Sequence, residues 1–99
     1  MDFIPKITAV SYLNTIPFVY GLKHADNLRA ELTLAPPADC ARDFMEGRAD
    51  IALLPAAVVP QLKDATIITD YCIGALDAVR TVTVMSNHPI SAVKRIWLD

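Results

Sequence analysis

The sequence predicts an α/β domain built on a mostly parallel sheet with helices on both faces. Short β-rich runs alternate with segments of helical spacing, which is the pattern of consecutive βαβ units. Residues 51–54 (IALL) are apolar without polar alternation, as expected for a central strand covered on both faces. Pro55 ends this run.

The first βα unit is predicted from a strand over residues 6–10 and a helix over residues 16–24. Pro17 suits the first helical turn, because the N–H that it lacks would have no partner there. Apolar side chains follow at the spacing of a buried helix face: Phe18, Val19 and Leu22.

The second unit combines a strand over residues 30–34 with the clearest helix of the chain, over residues 38–46. The strand alternates apolar and polar residues, and Pro36 and Pro37 end it. We expect Gly47 to end the helix as a left-handed cap.

Further elements are predicted toward the C-terminus. The alternating, β-branched run 79–85 (VRTVTVM) is typical of a strand. The other predicted elements are a short helix over residues 56–62, strands over 66–69 and 95–98, and one helical turn over 90–93.

The composition indicates one small globular domain. The chain has 99 residues, 54% of them hydrophobic, and a net charge of -2 without a basic cluster, so we expect no nucleic-acid partner. No apolar run approaches the ~20 residues of a membrane span. The first residues lack the basic and apolar segments of a secretory signal, which favours a cytoplasmic location.

Metal binding and disulfide formation are not expected from the spacing of the candidate ligands. Cys40 and Cys72 lie in unlike contexts, so we expect reduced thiols with packing roles. His24 and His88 are far apart, and they suit a helix end and a turn better than a metal site.

Polar residues that follow strands are the first candidates for a ligand site. Ligands of open parallel sheets bind beyond the carboxyl ends of the strands, which selects Ser11 and Asn14, residues 53–55 and residues 74–79. Ser11 and Asn14 offer neutral donors and acceptors, and the amides of the following helix favour an anion. The alternative is that Ser11 or Asn14 only caps that helix.

Charged residues give weaker signals. Arg80 alternates with Val79 and Thr81 in the predicted strand, so regular pleating lets either Arg80 or Thr81 face a cleft. Asp50 and Asp77 invite an acid–base interpretation, but their positions before a strand and within a loop favour turn or cap roles.

Three segments, in order and spacing, carry a resemblance to a known family. They are residues 9–18 (AVSYLNTIPF), residues 50–55 (DIALLP), and residues 71–75 (YCIGA) followed by 79–82 (VRTV). The first segment is the most specific, because many apolar strands look like the second. Together they resemble the chorismate dehydratases of the futalosine route to menaquinone, over nearly the whole chain.

The resemblance implies a fold and a reaction. The family has the two-lobed fold of type II periplasmic binding proteins, with substrate held between the lobes. Residues 1–86 would form part of lobe one, and residues 87–99 the crossover and first strand of lobe two, so we expect an N-terminal portion of a longer enzyme. The family converts chorismate to 3-[(1-carboxyvinyl)oxy]benzoate and water, without metal or organic cofactor.

The resemblance also implies site residues. Asn14 matches the family's catalytic asparagine after the first strand, and Thr81 matches a catalytic hydroxyl residue that is serine in many members. Threonine keeps the hydroxyl but adds a methyl group, which narrows the pocket and restricts the rotamers. Ser11, Tyr12 and Arg80 are further candidates for substrate contact.

Two other functions remain open at this stage. The same cleft could serve a binding module for small anions without any chemistry. With half a cleft, the chain by itself is expected to be inactive.

We also expect an exposed apolar strand edge to favour self-association.

Overall fold

A computed structural model describes residues 3–98 and shows a small α/β fold with a three-stranded parallel sheet. Its strands and helices are β1 (Lys6–Val10), α1 (Ile16–His24), β2 (Glu31–Ala35), α2 (Pro37–Met45) and β3 (Ile51–Ala52). The strand order is β2-β1-β3, and both pairings are parallel. The predicted class, an α/β fold with a parallel sheet, is confirmed.

Strand β1 lies at the centre of the sheet and is the most buried element. All 5 of its residues pair in register with β2, and two of them also pair with β3. Ile7, Thr8 and Ala9 are consecutive and all buried. Because successive side chains of a strand point to opposite faces, both faces of the sheet are covered at β1.

The two helices cover opposite faces of β1. On one face, the Thr8 hydroxyl donates to the Cys40 thiol of α2 over 3.4 Å, and that thiol donates to the Ala35 carbonyl over 3.5 Å. On the other face, Ile7 borders the same surface depression as Leu22 of α1. Right-handed crossovers explain this arrangement. The connection from β1 to β2 and the connection from β2 to β3 run in opposite directions along the sheet, so their helices lie on opposite faces.

Helix α2 ends in a complete Schellman motif. Gly47 has a φ of 76°, and its N–H donates to the Phe44 carbonyl over 3.2 Å. The Arg48 N–H donates to the Asp43 carbonyl over 2.8 Å. Both bonds satisfy carbonyls that the last helical turn leaves unpaired, and the predicted left-handed cap at Gly47 is confirmed.

The elements predicted for the first 61 residues are present with small shifts. The first strand and first helix have the predicted bounds, and β2 and α2 are displaced by one residue. Strand β3 has 2 residues instead of the predicted four, and the short helix is a 3-10 helix, Ala56–Gln61. The predicted turn near residue 90 is also present, as the 3-10 turn Ile90–Ala92.

Three predicted strands, at residues 66–69, 79–85 and 95–98, are wrong, because the structure has no strand at these positions. Every residue from 63 to 98 except Val93 is exposed. Strand propensity reflects how well a side chain packs on neighbouring strands, so β-branched residues without a neighbour do not form a ladder.

The irregular segment, residues 62–98, extends the molecule and exposes apolar surface. The radius of gyration is 16.9 Å, compared with about 13 Å for a compact domain of this length. Large apolar side chains that are more than half exposed here are Ile67, Ile68, Tyr71, Leu76, Val79, Val82, Val84, Met85, Ile90, Ile96, Trp97 and Leu98.

Replacing the capping glycine should weaken the fold, whereas the same change inside α1 should strengthen it. Gly47→Ala places a side chain in the left-handed region and should lower the free energy of unfolding by about 1–2 kcal/mol. Gly21→Ala is the matched control, because an added methyl group meets nothing within 4 Å. Alanine loses less conformational entropy in a helix than glycine, so this variant should raise the free energy of unfolding by about 0.5–1 kcal/mol. Urea unfolding followed by circular dichroism measures both, and equal shifts of the two variants would contradict the cap.

The exposed apolar side chains of the irregular segment should make the chain self-associate. Sedimentation velocity should show a coefficient that rises with protein concentration. Val82→Lys combined with Val84→Lys should reduce this rise, because both exposed side chains are apolar. The control pair, Thr83→Lys and Ser86→Lys, adds the same charge but removes no large apolar side chain. A clean monomer at high concentration would contradict the prediction.

Candidate functional site

The strand order places a topological switch point between β1 and β3. The chain leaves β1 toward β2 on one side of the sheet and later returns to β3 on the other side. In open parallel sheets, ligands bind in the crevice beyond the carboxyl ends of the strands at such a point. The segment that follows β1 at this position is residues 11–15.

The backbone of residues 11–15 is fixed at both ends. The Ser11 N–H donates to the Ala35 carbonyl over 3.0 Å, which continues the β1–β2 ladder by one residue. The Thr15 N–H donates to the Tyr12 carbonyl over 3.1 Å and closes the 3-10 turn Leu13–Thr15. Helix α1 begins at the next residue, so sheet and helix together set the course of this segment.

The segment after β3 forms the other side of the switch point. The Leu53 N–H donates to the Thr8 carbonyl over 3.0 Å, which holds the end of β3 against β1. Leu53, Leu54 and Pro55 are half-buried. This side is therefore apolar, whereas the side formed by residues 11–14 presents polar groups.

Ser11, Tyr12 and Asn14 are exposed, and Ser11 and Asn14 do not cap a helix. The N-cap residues of the 3-10 turn and of α1 are Tyr12 and Thr15, and neither makes a side-chain cap hydrogen bond. Within residues 3–98, the side chains of Ser11 and Asn14 have no hydrogen-bond partner. Their polar groups are therefore available to a ligand.

Thr15 is the residue of this segment that sequence reasoning missed. Its side chain is 1% exposed, and among the described residues its Oγ1 has no hydrogen-bond partner. Thr8, the other buried threonine, donates its hydroxyl to Cys40. The sequence gives no signal for this difference, because burial and pairing depend on the packing around each hydroxyl.

Arg80 and Thr81 lie in the irregular segment and are exposed. Within the described part of the chain, neither makes a hydrogen bond or ion pair with residues 11–14. The strand in which they were expected to alternate is not formed, so pleating does not decide which of the two faces a cleft. The structure therefore fixes residues 11–14 at the candidate site and shows no bond, among the described residues, that ties Arg80 or Thr81 to them.

Asp50 has the structural role that its position indicated. Its carboxylate accepts from the Lys6 N–H over 2.8 Å, and its own N–H donates to the Lys6 carbonyl over 2.8 Å. These bonds fasten the start of β3 to the start of β1, at the edge of the sheet opposite residues 11–15. Asp77 is exposed in the irregular segment.

The histidines occupy a helix end and a bend. His24 Nδ1 lies 2.8 Å from the Tyr20 carbonyl, and its ring stacks on Tyr20 with centroids 4.1 Å apart. The His88 N–H donates to Ser86 Oγ in the bend. Residues 3–98 contain no cluster of three or more potential metal ligands, and none of their helices is long and apolar enough to cross a membrane.

A surface depression of about 400 Å³ lies at the amino ends of the strands. Lys6, Glu31 and Arg48 line it, and the carboxylates of Asp43 and Glu46 hold the pKa of Arg48 above its ordinary value. Ligands of open parallel sheets bind at the opposite edge, so this concavity is a weaker candidate than the switch point despite its volume.

The fold defines an α/β protein with an open parallel sheet, a class whose ligands commonly bind beyond the carboxyl ends of the strands. Residues 5–99 match the family model described as "Menaquinone biosynthesis". The chain therefore belongs to the menaquinone biosynthesis family, as the resemblance predicted, and this membership indicates an enzyme with a small-molecule substrate. No curated protein and no solved structure matches the chain significantly.

Removing the exposed polar side chains of the segment should leave stability unchanged. Asn14→Ala and Ser11→Ala should each shift the free energy of unfolding by less than about 0.5 kcal/mol, because neither side chain is buried or paired. Asp50→Ala is the contrasting control. It removes the hydrogen bond to the Lys6 N–H, so its free energy of unfolding should fall by about 1 kcal/mol. Urea unfolding measures all three. A loss near 1 kcal/mol for Asn14→Ala would restore the capping role.

Proposed function

We propose that the chain supplies the lobe-one wall of a chorismate dehydratase, which converts chorismate to 3-[(1-carboxyvinyl)oxy]benzoate and water. One observation carries the proposal. In a member of the menaquinone biosynthesis family, Ser11 and Asn14 lie exposed beyond the central strand of a parallel sheet. The proposal includes the two-lobed architecture of type II periplasmic binding proteins, with a lobe boundary near residue 86.

The proposed reaction is an elimination that needs no external oxidant or reductant. The ring C–O bond breaks and the hydroxyl leaves, while a neighbouring ring carbon loses its proton. The electron pair of that C–H bond completes the aromatic ring, and the hydroxyl and the proton together form water. Aromatisation supplies the driving force, so the protein must chiefly orient the substrate and stabilise developing charge.

Asn14 is the proposed catalytic residue of this wall. Its carboxamide is exposed at the switch point, where it can donate to the leaving hydroxyl or to a substrate carboxylate. One well-placed neutral donor is worth about 3–4 kcal/mol of transition-state stabilisation. The N-terminus of α1 starts two residues later and favours the negative charge of a carboxylate.

Thr81 and Arg80 are the further proposed site residues of lobe one, in the segment that leads toward lobe two. The Thr81 hydroxyl would hold a carboxylate or relay a proton, and the Arg80 guanidinium has the fork geometry that binds carboxylates. Ser11 and Tyr12 would contact the substrate beside Asn14. Residues 11–15 contain no carboxylate and no histidine, so a carboxylate of the substrate itself is the proposed proton acceptor.

The experiment follows chorismate by absorbance and mass spectrometry with this chain and with a form extended through its downstream coding sequence. We expect the aromatic product from the extended form only, because the resemblance places this chain in one wall of a two-walled cleft. Asn14→Ala in that form should lower kcat by about 10²–10³-fold without loss of stability. Asn27→Ala, an exposed asparagine in the turn after α1, is the matched control.

The other outcomes separate the remaining functions. Binding of chorismate by the extended form without turnover would favour a small-anion binding module and make Asn14 and Thr81 ligand contacts. Absence of both binding and turnover would overturn the proposal. Equal losses of turnover and stability in Asn14→Ala would show a structural residue.

A further inference from the structure

We propose that Thr15 is a positioning residue of the candidate site, whose hydroxyl gains a hydrogen bond when the turn Leu13–Thr15 rearranges around a carboxylate held at Asn14. The proposal rests on the proposed function for the identity of that ligand. The observation behind it is the buried Oγ1 of Thr15, which has no partner among the described residues.

An unpaired buried hydroxyl is costly. Leaving a buried polar group unsatisfied destabilises a fold by more than one ordinary hydrogen bond contributes. Valine has nearly the same shape as threonine and no hydroxyl to satisfy. Packing alone therefore does not require a threonine at position 15. The buried hydroxyl of Thr8 is paired with Cys40, which shows that this core can satisfy a threonine.

The place of Thr15 connects its hydroxyl to Asn14. Thr15 is the last residue of the 3-10 turn and the N-cap of α1, and its backbone N–H closes the turn on Tyr12. A change in the turn that pairs the hydroxyl must therefore move Asn14, its immediate neighbour. Binding at Asn14 and pairing at Thr15 then become coupled, and a ligand that favours the second arrangement recovers part of the cost.

A carboxylate is the ligand chemistry that fits this coupling. The turn leads directly into α1, a helix of 9 residues whose first turn contains no acidic side chain. The partial positive charge at this helix end attracts an anion toward the turn, and the exposed side chains of Ser11 and Asn14 lie beside it. Thr15 acts through the turn and not by touching the ligand, because its side chain is 1% exposed.

The test compares Thr15→Val and Thr15→Ser with wild type in the 99-residue chain. Urea unfolding without ligand reports on the hydroxyl alone. Chorismate titration, followed by NMR on the backbone amides of residues 11–14, reports on coupling. Thr15→Val should be more stable than wild type, and its Kd for chorismate should be at least about tenfold higher, which corresponds to about 1.4 kcal/mol. Thr15→Ser should have a Kd within about threefold of the wild-type value.

Thr8→Val is the matched control. It removes a buried hydroxyl that already has a partner, so it should gain less stability than Thr15→Val and bind chorismate as wild type does. A loss of stability in Thr15→Val would show that the hydroxyl is paired and would overturn the proposal. Unchanged binding by Thr15→Val would overturn it as well, while leaving the proposed function intact.

Benzoate, a simple aromatic carboxylate, separates failure of this proposal from failure of the proposed function. If wild type binds benzoate at these amides but not chorismate, the effect of Thr15→Val on benzoate binding decides the role of Thr15, and turnover by the extended form decides the dehydratase proposal. If wild type binds neither probe, the role proposed for Thr15 is overturned, while turnover by the extended form still decides the dehydratase proposal.

Discussion

The pairing of β1 with both of its neighbours is the interaction on which the rest of the structure depends. Every residue of β1 is in register with β2, and Ile7 and Thr8 also pair with β3. Burial of β1 on both faces requires the two helices to take opposite sides of the sheet. The position of residues 11–15 follows, because the Ser11 N–H extends the same ladder before the chain turns into α1.

Local chemistry explains why the first βαβ units could be predicted from sequence. Pro17 and Gly47 mark helix ends through their own backbone geometry, and the structure bears out both positions. Residues 79–85 have an equally clear pattern, yet they form no strand. A strand is made by its neighbours, and the sequence does not show whether an open sheet edge is within reach. The predicted strands β1, β2 and β3 formed because each has a partner, and the pattern alone did not distinguish them from residues 79–85, which form no strand.

The candidate site, too, could be predicted from the sequence only in part. The rule for open parallel sheets selected Ser11 and Asn14 from sequence, because strand ends are predictable once the strands are. The choice between ligand contact and helix cap needed the structure, which assigns the N-cap positions to Tyr12 and Thr15. The unpaired hydroxyl of Thr15 was beyond sequence reasoning, since every threonine has the same hydroxyl and only packing decides its partners.

The proposed site residues differ in what must be ordered before they act. Asn14 lies on a segment whose backbone is held by the sheet and α1, so only its side chain remains to be ordered when a ligand binds. Thr81 and Arg80 lie in an exposed segment, and fixing its backbone costs roughly 1–2 kcal/mol per residue. That cost must be offset by burial of the exposed apolar side chains nearby, such as Val82 and Val84. In the proposed enzyme, packing of the downstream part of the chain against those side chains is therefore also what would bring Thr81 into a working geometry.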